Sequence, residues 1–137
     1  MRRRRWSVLL FALILIVISG CGDKNSGNHG DNNMALEPIQ VQLQVNPTEI
    51  QAGEKIRFEA LVTHQGKPVD DAKEVMFEIW KDGDSEDDHS KITVKGAGEG
   101  KYVLEKSFKA PGSYHVISHV TARDQHSMPS AEFVVKE

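Results

Sequence analysis

His119, His126 and Met128 stand within ten residues of one another, in the stretch HVTARDQHSMP. Imidazole nitrogen and thioether sulfur without thiolate form a soft donor set. Such a set suits copper better than magnesium or calcium, which take oxygen ligands, and is compatible with Cu(I). Zinc accepts histidine but seldom methionine. A blue-copper centre also needs a cysteine ligand, so the chemistry expected here is binding rather than electron transfer. The competing reading makes the same three residues ordinary polar groups of a hairpin turn.

The three can meet only if the chain turns back between them. With Arg123 and Asp124 as the central turn residues, Met128 falls opposite His119 and His126 opposite Thr121. Directly opposed residues on antiparallel strands hold their Cβ atoms about 5 Å apart, and diagonal ones somewhat more. His115 sits four residues before His119 on the same run, which places it about 13 Å away and outside the set. Imidazole ligates only when neutral, so affinity is expected to weaken as the pH falls through the ordinary histidine range near about 6.5.

The elements that must position these residues alternate with a period of two. IQVQLQV (39–45) sets Ile39, Val41, Leu43 and Val45 against glutamines, and KIRFEALVT (55–63) sets Ile56, Phe58, Ala60 and Val62 on one face. EVMFEIW (74–80), KITV (91–94), KYVLEKSF (101–108), YHVISHVTA (114–122) and AEFVVK (131–136) continue the pattern, separated by Gly, Pro and Asp turns. This is strand periodicity with no convincing helical stretch. It predicts an all-β fold: an immunoglobulin-like antiparallel β-sandwich of about seven strands, A to G in chain order. Tyr114 sits two residues before the core position Val116, at the start of strand F. That is the spacing of a tyrosine corner. From this phase Val116, Ser118 and Val120 face the core, while His115, Ile117, His119 and Thr121 face outward. Ala131, Phe133 and Val135 face inward, and Met76, Glu78 and Trp80 face outward on strand C.

The N-terminal residues read differently. Four arginines follow Met1, an apolar run of 11 residues spans Val8 to Ile18, and Ser19, Gly20 and Cys21 close it. A basic start, a short apolar run and small residues describe a secretory signal; a membrane span needs roughly 20 apolar residues. ISGC resembles a bacterial lipobox, which implies cleavage before Cys21 and lipid on its sulfur. Residues 1–20 are thus read as a lipoprotein signal peptide, 21–36 as a flexible Gly/Asn/Asp-rich tether, and 37–137 as the folded domain. Cys21 is the only cysteine, so no intramolecular disulfide forms. The whole chain carries 17 basic and 20 acidic residues, and removal of the four arginines leaves 13 against 20, a formal charge of −7. An acidic domain argues against nucleic acid as the partner.

Pro111, Gly112 and Tyr114, then His119 and Val120, then His126, Met128 and Pro129 make up a longer pattern: a PG-x-Y turn, a strand ending in HV-x-A, and H-x-MP. It resembles the C-terminal motif of the FixH/YtkA-like family of small bacterial extracytoplasmic domains. The likeness runs over residues 37–137 and is sharpest from 111 onward. It implies an immunoglobulin-like sandwich, often on a lipoprotein, and a loose association with copper handling through FixH members linked to cbb3-type oxidase assembly. This chain has a lipobox where FixH proteins have a transmembrane anchor, so a part in oxidase assembly does not carry over.

Other candidates are weaker. Asp82, Asp84, Glu86 and Asp88 alternate in DGDSEDD, yet the spacing after Gly83 does not fit a calcium loop; a solvated acidic loop is the expectation. His64 and His89 fall in turns and read as exposed. No G-x-S-x-G, phosphate loop or His–Glu helix motif is present, so no enzyme is expected. The function expected is a lipid-anchored extracytoplasmic protein that binds or handles copper through His119, His126 and Met128. The alternative is a metal-independent interaction module. It would dock on a membrane protein through an outer face carrying Met76, Trp80 and Ile117, with Val134 beside them.

Overall fold

The structure, a computed structural model, describes residues 37–137. The signal segment, Cys21 and the tether lie outside the described residues. Ten strands run in order: β1 (Gln40–Asn46), β2 (Glu49–Gln51), β3 (Lys55–His64), β4 (Lys67–Pro68), β5 (Glu74–Lys81), β6 (Ser90–Thr93), β7 (Lys101–Ser107), β8 (Gly112–Ala122), β9 (Gln125–Ser127) and β10 (Ser130–Lys136). A single 3₁₀ turn, Glu86–Asp88, accompanies them among the described residues.

The strands form two sheets. One holds β1, β3 and β7, with the short β4 on β3; the other has the order β2-β10-β8-β5-β6, with β9 on β8. Every pairing is antiparallel except β2 on β10. The seven strands read from the sequence are β1, β3, β5, β6, β7, β8 and β10, and the all-β sandwich is the fold found. Strands C, F and G (β5, β8 and β10) share a sheet. The fourth strand, β6, joins that same sheet at its edge.

Alternation explains why these segments pair as they do. On β8, Tyr114, Val116, Ser118 and Val120 are buried and the residues between them are not. On β5, Val75, Phe77 and Ile79 are buried and Met76, Glu78 and Trp80 face away. A slip of one residue would turn each set to the wrong face, so burial fixes the register. Phe58 of β3 bridges the sheets. Its ring centroid lies 5.3 Å from Phe133, 6.1 Å from Phe77 and 6.3 Å from Phe108. Truncating such a central aromatic to alanine costs about 3–5 kcal/mol.

The tyrosine corner is present: the Tyr114 hydroxyl donates to the Ala110 carbonyl at 2.8 Å. Gly112 opens that strand at φ 146°, and a Cβ there would lie 2.5 Å from Cε of Lys81. The corner therefore fixes the start of the strand that carries His115 and His119.

Three short strands, β2, β4 and β9, were not legible as strands; β4 is the two-residue Lys67–Pro68 pairing on β3. β2 lies in the turn-rich link NPTEIQAGE, and its one buried side chain, Ile50, is 2 % exposed. Three residues are too few for a visible period. β9 is the return arm of the hairpin, cut short by Pro129.

Candidate metal centre

The β8–β9 turn is built as expected. Arg123 and Asp124 both take positive φ (52° and 56°), the conformation of a two-residue type I′ turn. Arg123 Nη2 reaches Asp71 Oδ1 at 2.8 Å, which pins the turn to the approach to β5. The arginine beside Asp71 holds that carboxyl below its ordinary range.

The pairing sets the side chains. Thr121 lies opposite His126, Val120 opposite Ser127, and Ser130 opposite Ile117. The register is therefore unbroken across Met128 and Pro129, and Met128 falls level with His119. Pro129 has no N–H to give, but its carbonyl accepts from the Ser118 amide at 3.0 Å. On the other side of β8, Met76 is the direct partner of His119. His119 thus stands in a cross-strand row between two methionines. The His119 and His126 rings lie 5.9 Å apart at 29°. Met128 is 51 % exposed, so its thioether is open to solvent.

A second set of contacts surrounds this row. Nε2 of His119 lies 2.7 Å from Oε2 of Glu78, and Nδ1 of His89 lies 2.8 Å from Oε1 of the same carboxylate. The side chains of Glu78, His119 and His89 are 14 %, 16 % and 11 % exposed. Lys91 Nζ approaches Glu78 at 3.7 Å. The His89 bond lowers the Glu78 pKa; partial burial opposes this, and the His119 bond and Lys91 add to the lowering. Trp80 is sandwiched by two imidazoles, with His89 at 4.5 Å and 7° and His115 at 5.2 Å and 22°. His115 in turn bonds Asp82 through Nε2, and its Nδ1 lies 3.4 Å from Glu132.

Several expectations change here. His89 is not a free turn residue; it is packed on Trp80 and bonded to Glu78. Trp80 offers no open ring face to a partner, because both faces are covered. Met76 and Ile117 are only partly exposed; the exposed large hydrophobic side chains among the described residues are Met128 and Val134. His64 is held by the Glu37 carbonyl at 3.0 Å. The acidic loop spends its carboxylates separately: Asp82 on His115, Asp84 on the Lys81 amide, Asp88 on Ser85. Among the described residues no group of three or more His, Cys, Asp or Glu side chains is arranged to hold a metal ion. The donors on hand, His119, His126, Met128 and Met76, are of the kind copper takes.

The sequence phase placed Glu78 on the outer face but gave it no role. Its partner His89 comes from a loop, where no periodicity signals a contact.

The sheet order and corner define an immunoglobulin-like sandwich with a His/Met cluster at the edge of its larger sheet. The family model described as YtkA-like matches residues 33–119, and the chain belongs to this family. The match takes in Pro111, Gly112, Tyr114 and His119 and stops there; His126, Met128 and Pro129 lie beyond it. No curated protein matches the chain. Among solved structures, a candidate superoxide reductase from Thermotoga maritima is similar at 11 % identity and TM-score 0.53, over 71 % of this chain and 86 % of that one. The soluble domain of PmoD from a Methylocystis species is similar at 14 % identity and TM-score 0.48, over 69 % and 90 %. The alkylpurine DNA glycosylase AlkC of Pseudomonas fluorescens is similar at 17 % identity and TM-score 0.47, over 72 % of this chain. This chain spans only 30 % of the glycosylase. For the Thermotoga maritima protein the likeness is one of fold alone.

Proposed function

We propose that the protein is a non-catalytic, lipid-anchored extracytoplasmic sandwich. It binds copper, as Cu(I), at the β8–β9 hairpin through His119, His126 and Met128, and buffers the ion or hands it to a membrane partner. One observation carries this reading: the unbroken register sets Met128 level with His119, while the His126 ring lies 5.9 Å from that of His119. Two imidazoles and a thioether at one sheet edge suit a soft monovalent ion. The exposed Met128 provides the route by which an ion enters or leaves. The lipobox at Cys21 supports anchoring outside the cytoplasm.

Titration of the purified full chain with Cu(I), in competition with a colorimetric Cu(I) chelator, tests the reading. One equivalent is expected to bind, and the His119→Ala/His126→Ala double variant is expected to lose it. A double variant that competes as well as wild type removes the site.

A metal-independent docking role retains Met128 and Val134 as its exposed apolar groups. The covered faces of Trp80 leave that reading with less surface than the sequence suggested.

A further inference from the structure

We propose that Glu78 is the positioning residue of this centre. It fixes the ring of His119 in one tautomer, so that Nδ1 carries the lone pair a copper ion takes. This rests on the copper reading above. An ionised carboxylate accepts hydrogen bonds and donates none. Its two oxygens meet two imidazole nitrogens, Nε2 of His119 at 2.7 Å and Nδ1 of His89 at 2.8 Å. Both rings must therefore donate at those atoms. A neutral imidazole has one N–H, so the lone pair of His119 lies on Nδ1 and that of His89 on Nε2.

The arrangement is held from both sides. Glu78 is diagonal to His119 across the β5–β8 pair, in which Met76 faces His119 and Glu78 faces Ile117. His89 is stacked on Trp80, which keeps its Nδ1 aimed at Glu78. The three side chains are largely shielded from solvent, so water competes weakly for these bonds. A histidine that ligates metal through one nitrogen usually donates its other N–H to such a carboxylate, and loss of that partner costs about 10–100-fold in affinity. The Nδ1–H form assigned to His89 is the minor tautomer of an unrestrained imidazole, and so a sharp signature of Glu78.

Glu78→Gln separates the roles. An amide replaces one of the two acceptor oxygens by a donor NH2, so it no longer offers an acceptor atom to each ring, and the ring that faces the NH2 must turn a lone pair to it or lose its bond. The test combines imidazole ¹⁵N–¹H correlation spectra of the metal-free full chain, at mildly alkaline pH, with Cu(I) competition. Expected are Nε2–H on His119 and Nδ1–H on His89 in the wild type, a switched ring in Glu78→Gln, and Cu(I) affinity lower by about 10–100-fold in that variant. Nδ1–H on His119 in the metal-free wild type overturns the proposal and needs no variant to fold. So does a Glu78→Gln protein that binds Cu(I) as tightly as wild type. The expected tautomers in a wild type that binds no Cu(I), with a switched ring in Glu78→Gln, overturn the copper reading instead and leave Glu78 as the group that sets the rings.

Discussion

Glu78 on β5 and His119 on β8 are joined diagonally across two paired strands, Oε2 to Nε2 at 2.7 Å. The second oxygen of the same carboxylate holds His89, which arrives from the loop before β6. One acidic side chain thus links the third and sixth of the main strands to the loop before the fourth on the outer face of the larger sheet.

This carboxylate makes stability depend on pH. Its pKa in the folded protein is depressed below the ordinary 4.5, first by the His89 bond. A depressed acid stabilises the fold fully above its unfolded value, and that contribution fades as the pH falls through the folded value. The unfolding midpoint of wild type in urea should exceed that of Glu78→Gln near neutrality. Loss of a partly buried charged partner costs about 1–3 kcal/mol. The gap should narrow once the pH drops below 4.5. A gap that stays constant down to strong acid would remove the ionised carboxylate from the account.

Tyr114→Phe removes one hydroxyl and leaves the ring on Phe133, at 5.1 Å and 13°. The lost bond to Ala110 is worth about 0.5–1.5 kcal/mol. A domain of this size loses roughly 4–8 °C of melting temperature per kcal/mol, a shift that calorimetry resolves. Cu(I) binding should not change, because the core of β8 is retained.

Ser118 lies fully buried, and among the described residues its Oγ has no hydrogen-bond partner. A buried hydroxyl without a partner costs about 1–3 kcal/mol. Ser118→Ala keeps the backbone bond to Pro129 and removes the hydroxyl, so the variant should melt higher than wild type. A lower melting temperature would mean that the hydroxyl is satisfied after all.

Cys21 lies outside the described residues, so its role is tested in cells. Metabolic labelling with a fatty acid should tag the wild type and not Cys21→Ala, and the variant should leave the membrane fraction. Equal labelling of both would refute the lipid anchor.

The sandwich was legible because burial is periodic. The run from Tyr114 to Ala122 alternates so strictly that its two faces could be assigned before any contact was known. The turn entered the sequence reading as a condition: with Arg123 and Asp124 at its centre, two residues between alternating arms leave a single register, and that register places Met128 beside His119; the tight turn itself is a finding of the structure. The Glu78–His89 bond was not legible. Alternation says which way a strand residue faces, but not which loop residue will meet it. The Trp80 sandwich escaped for the same reason, since one of its two histidines, His89, comes from the acidic loop and not from the paired strand. Met76 was placed on the correct face, yet its position opposite His119 depends on the β5–β8 register, which sequence alone does not set.

X-ray absorption at the copper edge of the Cu(I)-loaded full chain is the most direct measurement of the central claim. Both nitrogen and sulfur are expected as bonded neighbours of copper, with the sulfur signal diminished in Met128→Leu and the nitrogen signal diminished in His126→Ala. Copper bound by nitrogen and oxygen alone, or copper whose spectrum is the same in all three proteins, would contradict a site at the β8–β9 hairpin.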